Sequence, residues 1–104
     1  MSPEQAAAVL DDCRSRIDEL DRRITALLND RARLVEIIGN VKLEQGMRIY
    51  EPKREDQVFA NVARNNHGPL DSEALRRVYE RILDEMRTLQ RKQSAQANSE
   101  EEEH

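Results

Sequence analysis

Arg14, Arg31, Lys42, Arg54 with Glu55, and Gln90 put long cationic and amide side chains where an all-helical chain should be greasy. Such groups on a buried stripe suit a small anion better than a featureless bundle. On the row Ile24, Leu28, Arg31, Val35, Ile38, Lys42, the two cations stand eleven residues apart, close to three whole turns. They therefore project in nearly the same direction about 16 Å apart along the axis, and two such side chains leaning together could grip a ligand. The alternative is that each carries its head to solvent or pairs with a carboxylate across the bundle. Arg14 lies seventeen residues before Arg31, which leaves it roughly 100° around the helix from that face. If it binds ligand, the simplest geometry has it reaching into a pocket whose other walls belong to a partner subunit. Otherwise it is an ordinary exposed arginine beside Asp11 and Asp18.

Glu51 and Glu55 are one turn apart and lead into an apolar face of Val58, Phe59 and Val62, with Arg54 beside them. A helix start collects carboxylates for electrostatic reasons alone. A metal pair is not expected, because the Glu-x-x-His ligands of bundle metal sites are absent. Gln90 continues the stripe Tyr79, Ile82, Leu83, Met86. A buried amide needs partners, and a ligand could be one.

The elements that must position these groups follow from apolar spacing. From Leu10 the residues Leu10, Cys13, Ile17, Leu20, Ile24, Leu27 and Leu28, then Leu34, Val35, Ile38 and Val41, recur three and four apart, which predicts one long amphipathic helix. It ends near Gln45-Gly46, where glycine supplies the left-handed cap, and spans roughly 50 Å. Met47–Tyr50 is a connecting loop, and Glu51-Pro52 begins a second helix with Pro52 in its first turn. The breakers Asn65-Asn66-His67-Gly68-Pro69 end it. Asp71 is the N-cap of a third helix, with Leu70 and Leu75 as its hydrophobic staple. The expected fold is all-α: one long, one short and one medium helix, with no repeat and no second domain.

The bulk numbers agree. With 104 residues, 37% charged and 38% hydrophobic, the chain reads as one small helix-rich domain. At 3% aromatic it has a thin core and needs oligomerisation to bury enough apolar surface. A net charge of −4 opposes general binding to nucleic acid or an anionic membrane. The single Cys13 allows no internal disulfide and reads as a small packing residue. The start Met-Ser-Pro-Glu-Gln-Ala-Ala-Ala is not an export signal, and no apolar run approaches the ~20 residues of a membrane span, so the expected location is the cytoplasm. Residues 1–93 form the expected helical domain. Residues 94–104 lack apolar periodicity and read as a disordered acidic tail, whose terminal His104 is no metal site.

These residues resemble the AroQ-type chorismate mutases, the all-helical enzymes that isomerise chorismate to prephenate. The resemblance is carried by Arg14-Ser-Arg-Ile-Asp-Glu-Leu-Asp21, Leu27-Leu-Asn-Asp-Arg31, Lys42, Ile49-Tyr-Glu-Pro-Lys-Arg-Glu55 and Leu89-Gln90. It implies an intertwined helical homodimer with two sites, each completed by Arg14 of the other protomer. It further implies that Arg14, Arg31 and Arg54 bind the two carboxylates of chorismate, that Lys42 and Gln90 contact the ether oxygen, and that Glu51 and Glu55 sit around the ring hydroxyl. The catalytic set would be Lys42, Gln90 and Arg31. Met86 stands where the family often has a small serine near a substrate carboxylate, and Glu51 where aspartate is common.

The implied reaction breaks a C–O bond and forms a C–C bond in one pericyclic step, with no nucleophile, metal or cofactor. The site must hold the enolpyruvyl arm over the ring and stabilise charge growing on the ether oxygen. Removing one preorganised donor of that kind costs about 3 to 4 kcal/mol in barrier. A million-fold acceleration corresponds to roughly 8 kcal/mol, so a few such contacts plus positioning suffice. Three rivals remain: an isochorismate pyruvate lyase, which the full Tyr50–Glu55 segment disfavours; a non-catalytic helical dimerisation module, in which Arg31, Lys42 and Gln90 form cross-helix pairs and leave no pocket; and a mutase that mainly tunes a partner enzyme of the shikimate pathway in aromatic amino acid biosynthesis.

Overall fold

The computed structural model describes residues 1–103, and side-chain surroundings for residues 1–100. It contains three helices, α1 (Pro3–Gln45), α2 (Pro52–Asn65) and α3 (Ser72–Glu103), and no strand among the described residues. The all-α expectation holds, and the inner helix boundaries, from Gln45 to Ser72, lie close to those read from the pattern.

Each helix end has a local cause. α1 begins earlier than the apolar pattern, because Ser2 and Gln5 form a reciprocal capping box: Gln5 N donates to Ser2 Oγ at 3.1 Å and Ser2 N to Gln5 Oε1 at 2.8 Å. Pro3 occupies the first helical position, where its missing N–H costs nothing. At the other end Gly46 takes φ +64°, Met47 N donates to Lys42 O at 2.8 Å and Gly46 N to Leu43 O at 3.4 Å. That pair of bonds is a Schellman motif, and it anchors the backbone of Lys42 in the last turn. Glu51 holds the N-cap position of α2 but makes no side-chain capping bond. Its carboxylate is therefore available for another partner. Asp71 does cap α3, accepting from Ala74 N at 2.7 Å.

α3 does not stop near residue 93, where the apolar periodicity fades, but runs to Glu103. After Pro69 the chain has no Gly or Pro, and Ala95, Gln96, Ala97 and the glutamates are strong helix formers. Propensity carries the helix past the point where packing would require it. His104 lies outside the described residues.

The chain divides into two compact units, Met1–Arg33 and the residues from Leu34 onward. In the first, the apolar row apart from Leu28 is about half exposed or more, with Ile17 and Ile24 each at 52%, and Cys13 is exposed rather than packed. The second holds what core the chain has, with Val58 of α2 and Leu83 of α3 buried. Gly39 of α1 is buried there too, under Gln93 of α3. A Cβ at Gly39 would collide with Gln93 Oε1. Gln93 Nε2 donates to Glu36 O and Asn40 Oδ1, both at 2.8 Å. The glycine thus admits a glutamine that ties α3 to this part of α1.

Candidate functional site

In the second unit, two of the sequence-selected groups are the buried polar side chains: Lys42 is 6% exposed and Gln90 7%. An ammonium taken out of water needs compensation, and both Glu51 and the loop supply it. Lys42 Nζ donates to Ile49 O at 2.7 Å and pairs with Glu51 Oε1 at 2.8 Å. An ammonium has three N–H donors, so these two contacts leave one. Gln90 Nε2 donates to Val35 O at 3.3 Å, which leaves its second N–H and its carbonyl. Both side chains are held by the protein and each keeps a donor for a further acceptor.

Glu55, one turn into α2 from Glu51, is half-buried and paired with Arg87 of α3, Arg87 Nη1 donating to Glu55 Oε2. Asp84 Oδ1 lies 3.5 Å from Arg87 Nη2, and the guanidinium carbon stands 5.8 Å from the centre of the Tyr50 ring. The hydrogen bond that Arg87 donates to Glu55 raises the guanidinium pKa above its ordinary value, burial opposing. Sequence reading passed over Arg87. The signal was available, since Arg87 precedes Gln90 by one turn and shares its stripe.

The remaining selected residues are less committed. Arg54 is exposed, its Nη1 3.3 Å from Gln57 Oε1 on the same helix. Met86 is half-buried and brings no hydrogen-bond donor to its position. In the first unit Arg31 is half-buried and Arg14 exposed, and neither enters an ion pair among the described residues. A groove of about 190 Å³ between α2 and α3 is lined by Phe59, Val62, Ala63, Ser72, Glu73 and Arg76, with the Arg76 guanidinium 4.0 Å over the Phe59 ring. None of the selected residues lines it, so its apolar shape says nothing about them. No group of acidic, His or Cys side chains able to hold a metal occurs among the described residues.

Comparison with known proteins gives this arrangement a context. A bifunctional chorismate mutase/prephenate dehydratase of Aquifex aeolicus is 34% identical over 87 residues, covering 80% of this chain and 24% of that protein. The chain thus spans about a quarter of that relative's length. The chorismate mutase of Thermus thermophilus (form II) superposes with a TM-score of 0.77 at 33% identity, covering 79% of this chain and 93% of the other. The Helicobacter pylori chorismate mutase, solved in complex with prephenate, gives a TM-score of 0.77 at 28% identity, covering 83% and 93%. Residues 13–91 match the family described as chorismate mutase type II, a stretch that begins one residue before Arg14 and ends one residue after Gln90. The chain that buries Lys42 and Gln90 and holds two carboxylates at the start of α2 belongs to the chorismate mutase type II family.

Proposed function

We propose that this chain is a chorismate mutase, an isomerase that converts chorismate to prephenate without metal or cofactor. The observation that carries the proposal is the burial of Lys42 and Gln90, each with an uncommitted donor. These are the two groups that the family resemblance assigns to the ether oxygen. A donor already oriented by protein contacts does not have to reorganise when charge develops on that oxygen, and this is where most of the barrier reduction arises. Lys42 supplies charge and Gln90 a neutral N–H. Arg31, Arg54 and the partner's Arg14 take the two carboxylates, while Glu51 and Glu55 face the ring hydroxyl as acceptors.

The shared site requires a homodimer. The half-exposed row of Leu10, Ile17, Leu20, Ile24 and Leu27 supports one, since a single chain leaves this much apolar surface in water. Residues 1–93 form the functional domain, a reading supported by the family match over 13–91. Relatives that fuse the mutase to prephenate dehydratase support a place in aromatic amino acid biosynthesis beside a shikimate-pathway partner. The location is cytoplasmic. It is supported by the relation to a bifunctional chorismate mutase/prephenate dehydratase, a biosynthetic enzyme.

The Lys42–Glu51 pair is also what a non-catalytic bundle would use to satisfy a buried cation. The free donors and the family membership favour catalysis. Purified protein should deplete chorismate and yield prephenate, with isochorismate as the control substrate. Loss of chorismate at only the uncatalysed rate ends the enzyme reading, and pyruvate release from isochorismate redirects it to the lyase. Arg31→Ala and Arg14→Ala should each be nearly inactive, yet regain activity when mixed after subunit exchange. If no mixture regains activity, the shared-site dimer is wrong.

A further inference from the structure

The ion pairs sort into two kinds. All but two join residues three or four apart on one helix, as Arg22–Glu19 and Arg81–Glu85 do. The exceptions among the described residues are Lys42–Glu51 and Arg87–Glu55. Both end on the first turn of α2, on carboxylates four positions apart, and the backbone joins them where Glu55 N donates to Glu51 O at 3.1 Å. One cation comes from α1 and the other from α3.

We infer that Arg87 is a positioning residue for the reaction, orienting the Glu55 carboxylate toward the substrate's ring hydroxyl. The inference rests on the reading of Glu55 given under Proposed function and extends it to a residue outside that set. A glutamate side chain has three rotatable bonds, and a free one samples many positions of its carboxylate. Arg87 removes that freedom by engaging Glu55 Oε2, which leaves Oε1 as the oxygen to accept from a hydroxyl. The guanidinium is itself restrained, with Asp84 on one side and the Tyr50 ring on another. Nη1 on Glu55 and Nη2 toward Asp84 hold the guanidinium beside the carboxylate while three of its five N–H donors remain, so the double variant with Glu55→Gln separates action through Glu55 from direct contact with substrate. The half-buried setting of both partners, with side chains 22% and 19% exposed, separates this pair from the solvated pairs elsewhere.

The test compares wild type, Arg87→Met, Arg87→Lys, Glu55→Gln and the Arg87→Met/Glu55→Gln double variant. Each is assayed with chorismate and with chorismate methylated on the ring hydroxyl, and its thermal midpoint is measured alongside. Arg87→Met should lower kcat/KM for chorismate roughly tenfold, chiefly through KM, the scale of one hydrogen bond to a charged group. Three further results support positioning: no comparable loss on the methyl ether, which cannot donate; no further loss when Arg87→Met is added to Glu55→Gln; and partial recovery in Arg87→Lys. Equal losses on both substrates, multiplicative losses in the double variant, or wild-type kinetics in Arg87→Met each overturn the inference. If Glu55→Gln impairs turnover while Arg87→Met does not, the inference fails and the reading of Glu55 stands. If Glu55→Gln itself matches wild type, both fall.

Discussion

Residues 1–33 and the residues from Leu34 onward treat charge differently, although both leave apolar side chains exposed, Leu27 at 65% in the first and Leu34 at 62% in the second. In the first unit every ion pair joins neighbours on one helix, Arg16–Asp12, Arg22–Glu19, Arg23–Glu19 and Arg33–Asp30, with side chains at least half exposed. Such pairs contribute roughly 0.3 to 0.5 kcal/mol each. The apolar row beside them is half exposed as well. In the second unit charges cross between helices, Lys42 to Glu51 and Arg87 to Glu55, and a lysine and a glutamine are among the most buried side chains. One region pairs Lys42 and Arg87 with carboxylates across helices and keeps spare donors on Lys42 and Gln90. The other leaves Ile17, Ile24 and Leu27 exposed. On the dimer proposed above, the contrast separates cations already paired across helices from exposed apolar side chains left for a second copy to cover.

Four experiments probe that contrast, beginning with the largest effect. Lys42→Met should lower kcat by roughly a thousandfold, the scale of one lost preorganised donor, with the circular-dichroism spectrum of the helices retained. A modest loss would mean that the buried ammonium is structural. Ile24→Lys, in the first unit, should weaken self-association by about 3 kcal/mol or more, the cost of an unpaired charge forced into an interface. Sedimentation should then show monomer, with activity falling in step; a full dimer would place the interface elsewhere. Asp71→Ala removes the α3 cap seen at 2.7 Å and should cost about 1 kcal/mol in a denaturant titration while leaving KM for chorismate within twofold. The smallest change is deletion of residues 94–104. It should remove helical signal but leave kcat/KM and the denaturation midpoint essentially as they were, because residues 94–100 are exposed apart from the small, half-buried Ser94 and Ala97 and the family match ends at residue 91.

Much of the fold was readable because its causes are local. Gly46 and the breakers from Asn65 to Pro69 mark real ends, since a left-handed glycine or a proline disrupts a helix whatever surrounds it. The early start of α1 was equally local but lay in the Ser2–Gln5 capping box, which apolar spacing does not register. At the far end, spacing ended the helix too soon. An exposed run of Ala, Gln and Glu needs no apolar face to stay helical. Within the site, Lys42 and Gln90 were legible as polar interruptions of apolar stripes, and both are buried. Arg87 was not. It lies among Arg77, Arg81 and Arg91, and composition cannot separate it from helix-surface arginines.

By itself, then, the sequence determined three helices, their punctuation and which polar residues interrupt the apolar rows, because helical periodicity and capping depend on neighbours within a few positions. Only tertiary structure decided which carboxylate each cation holds. Glu51 could have capped its own helix and Glu55 could have stayed in solvent, but α1 brings Lys42 to the first and α3 brings Arg87 to the second. Those choices depend on side chains 9 and 32 positions apart meeting across helices, and no local pattern encodes such a meeting.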